Sequence, residues 1–287
     1  MSHFIKQNSC QCSFATSESW VVLSPIEQSI KQKIEKAGTP LKDWDIQINY
    51  GIKTGFNDAF IISSEKREEI LNNCKTEEER KKTDELIRPI LRGRDIKRYG
   101  YDWAGLWLIN THNGIKEKGI PRIDVEKDYP AVKKHLDEYW DKIEKRADQG
   151  DTPYNLRNCA YMDDFFKQKI VYPETTQGAY FAYDDKGMFL DKTCFMMISK
   201  DALFLQKILS SKLFEVAYKK IFSSIELGES AYQYNKHALI KLPVKKLKAK
   251  EQEDFENLND SEIDRKVYNL YGLSKEEIEF IENQKTL

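Results

Sequence analysis

Apolar residues recur along this chain at two spacings, one typical of helices and one typical of strands. Repeats of three to four residues, with capping residues at several starts, predict helices over 25–37, 65–73, 77–88, 128–146, 202–221, 262–271 and 274–283. Polar–apolar alternation and short apolar runs predict strands over 45–50, 59–62, 106–110, 169–172, 179–183, 188–190 and 193–198. Because strands and helices mix without strict alternation, we predict an α+β (mixed α/β) fold with a mixed sheet, flanking helices and a C-terminal helical appendage.

Three short stretches add local predictions. Ser24-Pro25-Ile26-Glu27 is a capping box with proline at the first helical position, and Gly38 stands where a helix commonly ends. The turn sequence over 184–187 separates two strand-like runs and predicts a β-hairpin. The lysine- and acid-rich stretch after Val244 predicts a linker. We therefore expect one domain over residues 1–245 and a linker with a helical tail over 246–287.

The composition is that of a globular protein with a highly charged surface. Hydrophobic residues make up 40% of the 287 residues and charged residues 32%. No apolar run reaches the roughly 20 residues that a membrane span needs, and the N-terminus lacks a secretory pattern, so we expect a cytoplasmic protein without a membrane partner. Five cysteines without a regular spacing predict reduced thiols.

The sequence lacks the catalytic motifs of a DNA methyltransferase. A methyltransferase needs a glycine-rich turn for its methyl donor and an Asn/Asp-Pro-Pro-aromatic loop, and neither occurs. Asp84 with Asp95-Ile96-Lys97 meets the loose pattern of a metal-dependent nuclease, which stays open as an alternative. Cys10 and Cys12 with His3 could hold a metal, but a spaced second pair of ligands is missing. We expect no catalytic residue and no metal site in this chain.

Local clusters of charge matter more here than the net charge of −1. The segment RPILRGRDIKR, residues 88–98, is strongly basic, and arginine forks fit phosphates or the guanine edge. The glycine-flexed loop over 51–57 offers a lysine, a threonine and an asparagine. Two later segments, YQYNK and PETTQGAY, add tyrosines and amides that suit base edges and phosphates. The candidate DNA-binding residues are Lys53, Thr54, Asn57, Arg88, Arg92, Arg94, Lys97, Arg98, Gln177, Tyr232, Tyr234, Asn235 and Lys236.

Each of these segments also has a simpler interpretation. The loop over 51–57 could be an ordinary solvated connection between strands. The basic segment could be a solvated face that the neighbouring acidic helix neutralises. The residues of YQYNK could serve a turn or the edge of the core.

An ordered series of segments nevertheless resembles a known family. GIKTGFNDAFII, LIRPILRGRDIKRY, LWLI, RADQGDTPYNLRNCAYM, KIVYPET and ILSSKL follow one another in this chain. Together they resemble the TaqI-like C-terminal specificity domain of type IIG restriction-modification enzymes. The ending IDRKVYNLYGLSKEEIEFIE is similar to the helical ending of the same enzymes.

The resemblance implies a DNA target-recognition domain over 1–245 that binds double-stranded DNA and directs an adenine-N6 methyltransferase. It implies methyltransferase and nuclease domains that lie N-terminally in the same polypeptide, with S-adenosylmethionine and Mg as their cofactors. This chain by itself is then not an enzyme. Besides the small nuclease, the remaining alternative is a protein-interaction subunit of a phage-defence complex whose C-terminal helices, from Glu262 onward, bind a partner.

Overall fold

Two groups of segments, each joining residues distant in sequence, make up the computed structural model, which describes residues 23–222, 226–227 and 231–284. The central unit comprises residues 47–173 and 182–199. The terminal unit comprises the described residues of 1–46, 174–181 and 200–287. The prediction of one domain over 1–245 and a tail over 246–287 stays a prediction. The contacts group residues 246–287 in the same unit as the described residues of 1–46, 174–181 and 200–245.

The elements mix strands and helices, as the sequence predicts. The strands are β1 (Thr39–Pro40), β2 (Gln47–Tyr50), β3 (Ile61–Ser63), β4 (Ile87–Leu91), β5 (Leu106–Ile109), β6 (Lys169–Pro173), β7 (Thr175–Thr176), β8 (Ala182–Asp184), β9 (Phe189–Leu190), β10 (Cys194–Ile198), β11 (Glu226–Leu227), β12 (Ala231–Gln233) and β13 (Pro243–Val244). Within the described residues, the α-helices are Pro25–Ala37, Asn57–Phe60, Ser64–Asn72, Glu77–Leu86, Val125–Asp128, Pro130–Asp137, Trp140–Ile143, Ala202–Leu209, Lys212–Val216, Lys236–Leu239, Ala249–Glu253, Asp260–Leu270 and Lys275–Glu282. The α+β class is confirmed.

Two four-stranded sheets form the frame of the central unit. The first has the order β2-β10-β6-β8 and is antiparallel throughout. The second has the order β3-β5-β4-β9, in which only β4 and β9 run parallel. All five residues of β6 are buried, as a strand with neighbours on both sides and cover on both faces requires.

The predicted hairpin around residues 184–187 is wrong. β8 pairs with β6 in the first sheet, whereas β9 pairs with β4 in the second. The turn therefore carries the chain from one sheet to the other. Its Asp184 carboxylate accepts bonds from the Lys186 and Met188 backbone N–H groups, at 3.2 and 3.0 Å, and this fixes the crossing.

Two long predicted helices are divided in the structure. The stretch 128–146 contains the helices Pro130–Asp137 and Trp140–Ile143, and Pro130, which cannot donate a backbone hydrogen bond, is the first residue of the former. The stretch 202–221 breaks at Ser211, whose hydroxyl donates to Ile208 O (2.7 Å) and caps the helix that follows. A π-helix over Ala217–Phe222 continues it.

The first described element of the terminal unit is the predicted capped helix. Pro25–Ala37 starts at a complete capping box between Ser24 and Glu27, so this prediction is confirmed to the residue. The buried Ile30 and Ile34 face the core of the unit.

The stretch after Val244, where the sequence predicts a linker, makes packing contacts in the structure. It contains the helix Ala249–Glu253, and Phe255, which is 1% exposed, packs edge-on against Phe204 with ring centroids 5.3 Å apart. Lys246 adds a bond from Nζ to Asp43 O, at 2.8 Å. Phe255 and Lys246 thus hold parts of this highly charged stretch against other residues of the terminal unit.

Among the helices of the described part, none is both long and apolar enough to cross a membrane. Cys74, Cys159 and Cys194 are free thiols. The suggested metal ligands His3, Cys10 and Cys12 lie outside the described residues.

Candidate nucleic-acid interface

The loop over residues 51–57 is fixed to its neighbours along most of its length. Gly51 N donates to Cys194 O at 3.0 Å, and Ile52 N donates to Leu190 O at 2.6 Å. Ile52 also forms an isolated parallel bridge with Asp191. Thr54 is 2% exposed, and its hydroxyl donates to Asn57 Oδ1 at 2.5 Å. Lys53 is the exposed residue between the buried Ile52 and Thr54.

Both glycines of this loop are required by geometry. A Cβ on Gly51 would lie 1.9 Å from Asp191 O, which is far inside van der Waals contact. Gly55 has φ of +71°, a region that residues with a Cβ rarely adopt. The glycines therefore do not make the loop flexible, as the sequence suggested, but allow one tight conformation.

Arg146 supports the loop from inside the central unit. Its Nε donates to Thr54 O at 3.1 Å, its Nη2 donates to Asn155 O, and its guanidinium lies 4.4 Å from the Phe60 ring centre. Burial lowers the pKa of Arg146 to about 10, so the side chain stays protonated at neutral pH. Sequence reasoning missed this residue because one arginine in a polar loop gives no signal of burial.

The basic segment over 88–98 contains both paired and unpaired cations. Arg92 holds Asp95 in a two-pronged contact, with Nε to Oδ2 at 3.0 Å and Nη2 to Oδ1 at 2.8 Å. This bond to Asp95 raises the pKa of Arg92. Arg94 is exposed on the short 3₁₀ turn Gly93–Asp95, and the exposed Lys97 donates to Arg94 O at 2.9 Å.

A turn over residues 190–194 joins these two segments. Carbonyl oxygens of this turn accept the bonds from Gly51 N and Ile52 N described above, and Asp191 N donates to Leu91 O at 2.9 Å. Its Thr193 hydroxyl accepts from Gly93 N, also at 2.9 Å. We call the three segments 51–57, 91–97 and 190–194 together the basic loop cluster. The turn adds Lys192, an exposed cation that the sequence analysis did not single out.

The exposed charge of the basic loop cluster is positive. Its two acids, Asp95 and Asp191, are only 5% and 6% exposed. Arg92 neutralises the first, and Thr193 N and Oγ1 donate to Asp191 Oδ1 at 2.9 and 2.5 Å. The exposed cations of the cluster are Lys53, Arg94, Lys97 and Lys192. Such an arrangement suits a polyanion.

The two remaining arginines of the segment contact aromatic rings. Arg88 is half-buried, with its guanidinium 5.0 Å from the centre of the exposed Phe166 ring. Arg98 is half-buried and lies 5.5 Å from the ring centre of Tyr99. Both contacts orient an arginine fork near the surface.

The candidates in the terminal unit have a different environment. Tyr232 and Tyr234 are each 1% exposed and pack with Tyr218, and their hydroxyls lie 3.4 Å apart. Asn235 caps the helix Lys236–Leu239 by accepting from His237 N at 2.8 Å. These three side chains have structural roles here, and the sequence YQYNK does not reveal that its two tyrosines are buried.

Gln177 is exposed in the loop after β7, and Lys236 is half-buried at the start of its helix. Their contact with DNA stays a prediction.

The residues of the nuclease alternative do not offer a metal site. Asp84 pairs with Arg67, and both carboxylate oxygens of Asp95 accept bonds from Arg92. In the part of the chain that the structure describes, no group of three or more His, Cys, Asp or Glu side chains could hold a metal ion. Nothing in this geometry favours hydrolysis.

Comparison with known proteins agrees with this reading of the fold. The chain is similar in structure to the type IIG restriction endonuclease BpuSI, with a TM-score of 0.57 and 15% identity, over 90% of this chain and 32% of that enzyme. It is also similar to the type IIL restriction-modification enzyme MmeI, solved in complex with DNA, with a TM-score of 0.56 and 13% identity, over 85% of this chain and 35% of that enzyme. The chain thus spans about a third of either enzyme. Residues 88–244, more than half of the sequence, match the TaqI-like C-terminal specificity domain, and the chain belongs to this family.

Proposed function

We propose that this chain recognises double-stranded DNA and supplies the sequence specificity of a restriction-modification enzyme. The observation that carries the proposal is the basic loop cluster, in which three segments bonded to one another expose four cations while their acids are buried. Because the chain belongs to a specificity-domain family, we infer that the ligand of this positive surface is DNA. Phosphates provide most of the affinity for such a surface, and base edges provide the selectivity.

Lys53 is our candidate reader within the cluster, that is, the residue that contacts base edges and so contributes sequence selectivity. It is exposed between two buried residues, so its backbone position is fixed before DNA arrives. Less conformational entropy is then lost on binding than for a lysine in a mobile loop. Arg94, exposed on a surface turn, is our candidate phosphate contact.

The catalytic partners of the chain are part of the same proposal. The matched part of this chain covers 32% of the restriction endonuclease BpuSI and 35% of the restriction-modification enzyme MmeI, so most of each enzyme lies outside the match. We infer that the chain works with an adenine-N6 methyltransferase domain and a nuclease domain in one polypeptide. S-adenosylmethionine and Mg belong to those domains.

The test is to measure DNA binding by the purified chain, with fluorescence anisotropy as the readout, at several salt concentrations. We expect a Kd of roughly 10⁻⁴ to 10⁻⁶ M on random duplex, with affinity that falls steeply as salt rises. Selection from random duplexes should then enrich one short site. Absence of salt dependence would exclude the basic loop cluster as a phosphate-binding surface.

Lys53→Ala and Lys250→Ala are the matched variants for this experiment. Lys250 is also exposed, but it lies in the helix Ala249–Glu253 of the terminal unit. Lys53→Ala should cost about 1 to 3 kcal/mol on the selected site and much less on random duplex. Lys250→Ala should bind both as the unsubstituted chain does. Equal losses on both duplexes for Lys53→Ala would make Lys53 a phosphate contact instead of a reader.

A further inference from the structure

An exposed aromatic side chain directly precedes the first segment, 51–57, of the basic loop cluster. Tyr50 is the last residue of β2, directly before Gly51, and 49% of its surface is exposed. Exposed single aromatics are common on proteins and need no function by themselves. What distinguishes Tyr50 is the support beneath its ring and the charge beside it.

The Tyr50 ring is one end of a row of three rings across the first sheet of the central unit. The register places Tyr50 opposite Phe195 and Phe195 opposite Tyr172. The Tyr50 and Phe195 ring centroids are 4.7 Å apart, and Phe195 stacks on Tyr172 at 5.4 Å with 8° between the planes. Phe195 is 3% exposed and Tyr172 is fully buried. Only the outer ring therefore offers free surface to a ligand.

The backbone on both sides of Tyr50 is fixed. Tyr50 lies within the antiparallel pairing of β2 with β10, and Gly51 follows in its tight contact with Asp191. The ring thus occupies a defined place and loses little freedom when it binds a planar ligand. Rigid, supported aromatics are the residues that stack on nucleobases in nucleic-acid-binding proteins.

Charge beside the ring identifies the kind of ligand. Lys53 follows three residues later, so its Cα lies within about 11 Å of the Tyr50 Cα. Lys53 and three further cations of the basic loop cluster are exposed, whereas the acids of the cluster are buried. A hydrophobic protein partner would bury these cations at a cost, but a nucleotide offers a π-face to the ring and a phosphate to the lysine.

We propose that Tyr50 stacks on a nucleobase of the DNA bound at the basic loop cluster. This inference rests on the proposed function. A base inside a regular duplex has both faces covered by its neighbours. The stacked base is therefore one that has separated from at least one neighbour, and the bound DNA is locally distorted at this point.

The test compares two fluorescein-labelled probes of the same mixed sequence, a fully paired duplex and the same duplex with one unpaired adenine bulged at its centre. The intact chain should prefer the bulged probe. Tyr50→Leu should weaken binding to the bulged probe by roughly five- to 150-fold, the range of one base–aromatic stack. It should weaken binding to the paired probe less, because there the cost of separating a base from its neighbour offsets part of the stack. Tyr50→Phe should keep the preference because it keeps the ring.

Trp140→Leu is the matched control. Trp140 is 37% exposed and packs on Tyr154, outside the basic loop cluster, so its removal should not change the preference. If Tyr50→Leu lowers the unfolding midpoint, Tyr50→Thr replaces it, because threonine suits a strand. A second measurement uses 2-aminopurine as the bulged base, whose fluorescence should fall when the unsubstituted chain binds.

The outcomes separate this inference from the proposed function. If the unsubstituted chain binds neither probe, the proposed function fails. If it binds both probes equally, or if Tyr50→Leu binds the bulged probe as tightly as the unsubstituted chain, DNA binding stands and the stacking role of Tyr50 is overturned.

Discussion

At the scale of single residues, neighbouring arginines of the basic segment have different physical roles. Arg92 neutralises the buried Asp95 through two bonds, whereas Arg94 is exposed. The two side chains are two positions apart and have the same chemistry. Only their partners distinguish a residue that supports the loop from one that is available to a ligand.

We expect opposite results from alanine at these two positions. Arg92→Ala leaves a buried carboxylate without its ion pair and should lower the free energy of unfolding by about 3 kcal/mol. Arg94→Ala should change it by less than about 0.5 kcal/mol but weaken binding to all duplexes alike and reduce the salt slope by about one unit. Urea unfolding and anisotropy titrations measure the two effects. The assignment is wrong if Arg94→Ala destabilises the fold as much as Arg92→Ala does.

A buried histidine predicts how stability depends on pH. His135 is 4% exposed, and its Nε2 lies 3.0 Å from Ala59 O, so that nitrogen carries the hydrogen. Burial lowers the pKa of His135 below its usual 6.5. The unfolded chain then takes up the proton first, and stability present above about pH 6.5 is lost as the pH falls toward the lower pKa of the folded state.

His135→Gln should flatten this dependence, because glutamine can still donate to Ala59 O but does not titrate. The free energy of unfolding, measured in urea between pH 7.5 and pH 5, should fall less in the variant than in the unsubstituted chain. Parallel curves for the two proteins would contradict the prediction.

At the scale of elements, the position of the basic loop cluster depends on the close approach of two backbone segments. The bonds from Gly51 and Ile52 to the turn over 190–194 replace a regular strand pair at this edge. Glycine at position 51 makes the approach possible, since a Cβ there would overlap Asp191 O.

Alanine substitutions at Gly51 and Gly119 distinguish the cost of a steric overlap between two backbone segments from the cost of a left-handed backbone conformation. Gly119 has φ of +66° with no atom near its missing Cβ, so Gly119→Ala should cost only the left-handed conformation, about 1 to 2 kcal/mol. Gly51→Ala forces two backbone segments apart and should cost more. It should also weaken DNA binding, which Gly119→Ala should not. Calorimetric unfolding and anisotropy titrations of both variants provide the check, and a Gly51→Ala protein as stable as Gly119→Ala would refute the close approach.

At the scale of the whole molecule, the C-terminal helices are part of the terminal unit. Glu277 is 4% exposed, accepts from Ser29 Oγ at 2.7 Å and pairs with Lys33 Nζ at 2.6 Å. Residues near position 30 and residues near position 277 thus share one packed region, which a detachable appendage would not require.

Deletion of residues 246–287 should therefore destabilise the terminal unit. Removal of an independent tail would leave its stability unchanged. The deletion exposes Phe204, which Phe255 covers, and leaves Lys33 without Glu277. We expect loss of the cooperative thermal transition of that unit, measured by calorimetry against the full chain. An unchanged transition would support the linker and tail that the sequence predicts.

The sequence by itself determined the elements whose cause is local. The capped helix at Pro25, the strands over 169–173 and 194–198, and the helices that begin near residues 260 and 275 follow from caps and periodicity. It also indicated the family through ordered motifs, and residues 88–244 confirm this. It placed basic chemistry at residues 53 and 94, because charge is visible in the sequence.

The tertiary structure alone decided which of these residues come together. The pairing of β9 with β4, instead of a hairpin with β8, depends on contacts with residues about 100 positions away. Backbone bonds from the turn over 190–194 bring Lys192 into one cluster with Lys53 and Arg94. Packing among the tyrosines of the terminal unit buries Tyr232 and Tyr234, whereas Tyr50 of the central unit is exposed. A tyrosine has the same letter in the core and on the surface. Its role is set by the apolar area that the rest of the fold places against it.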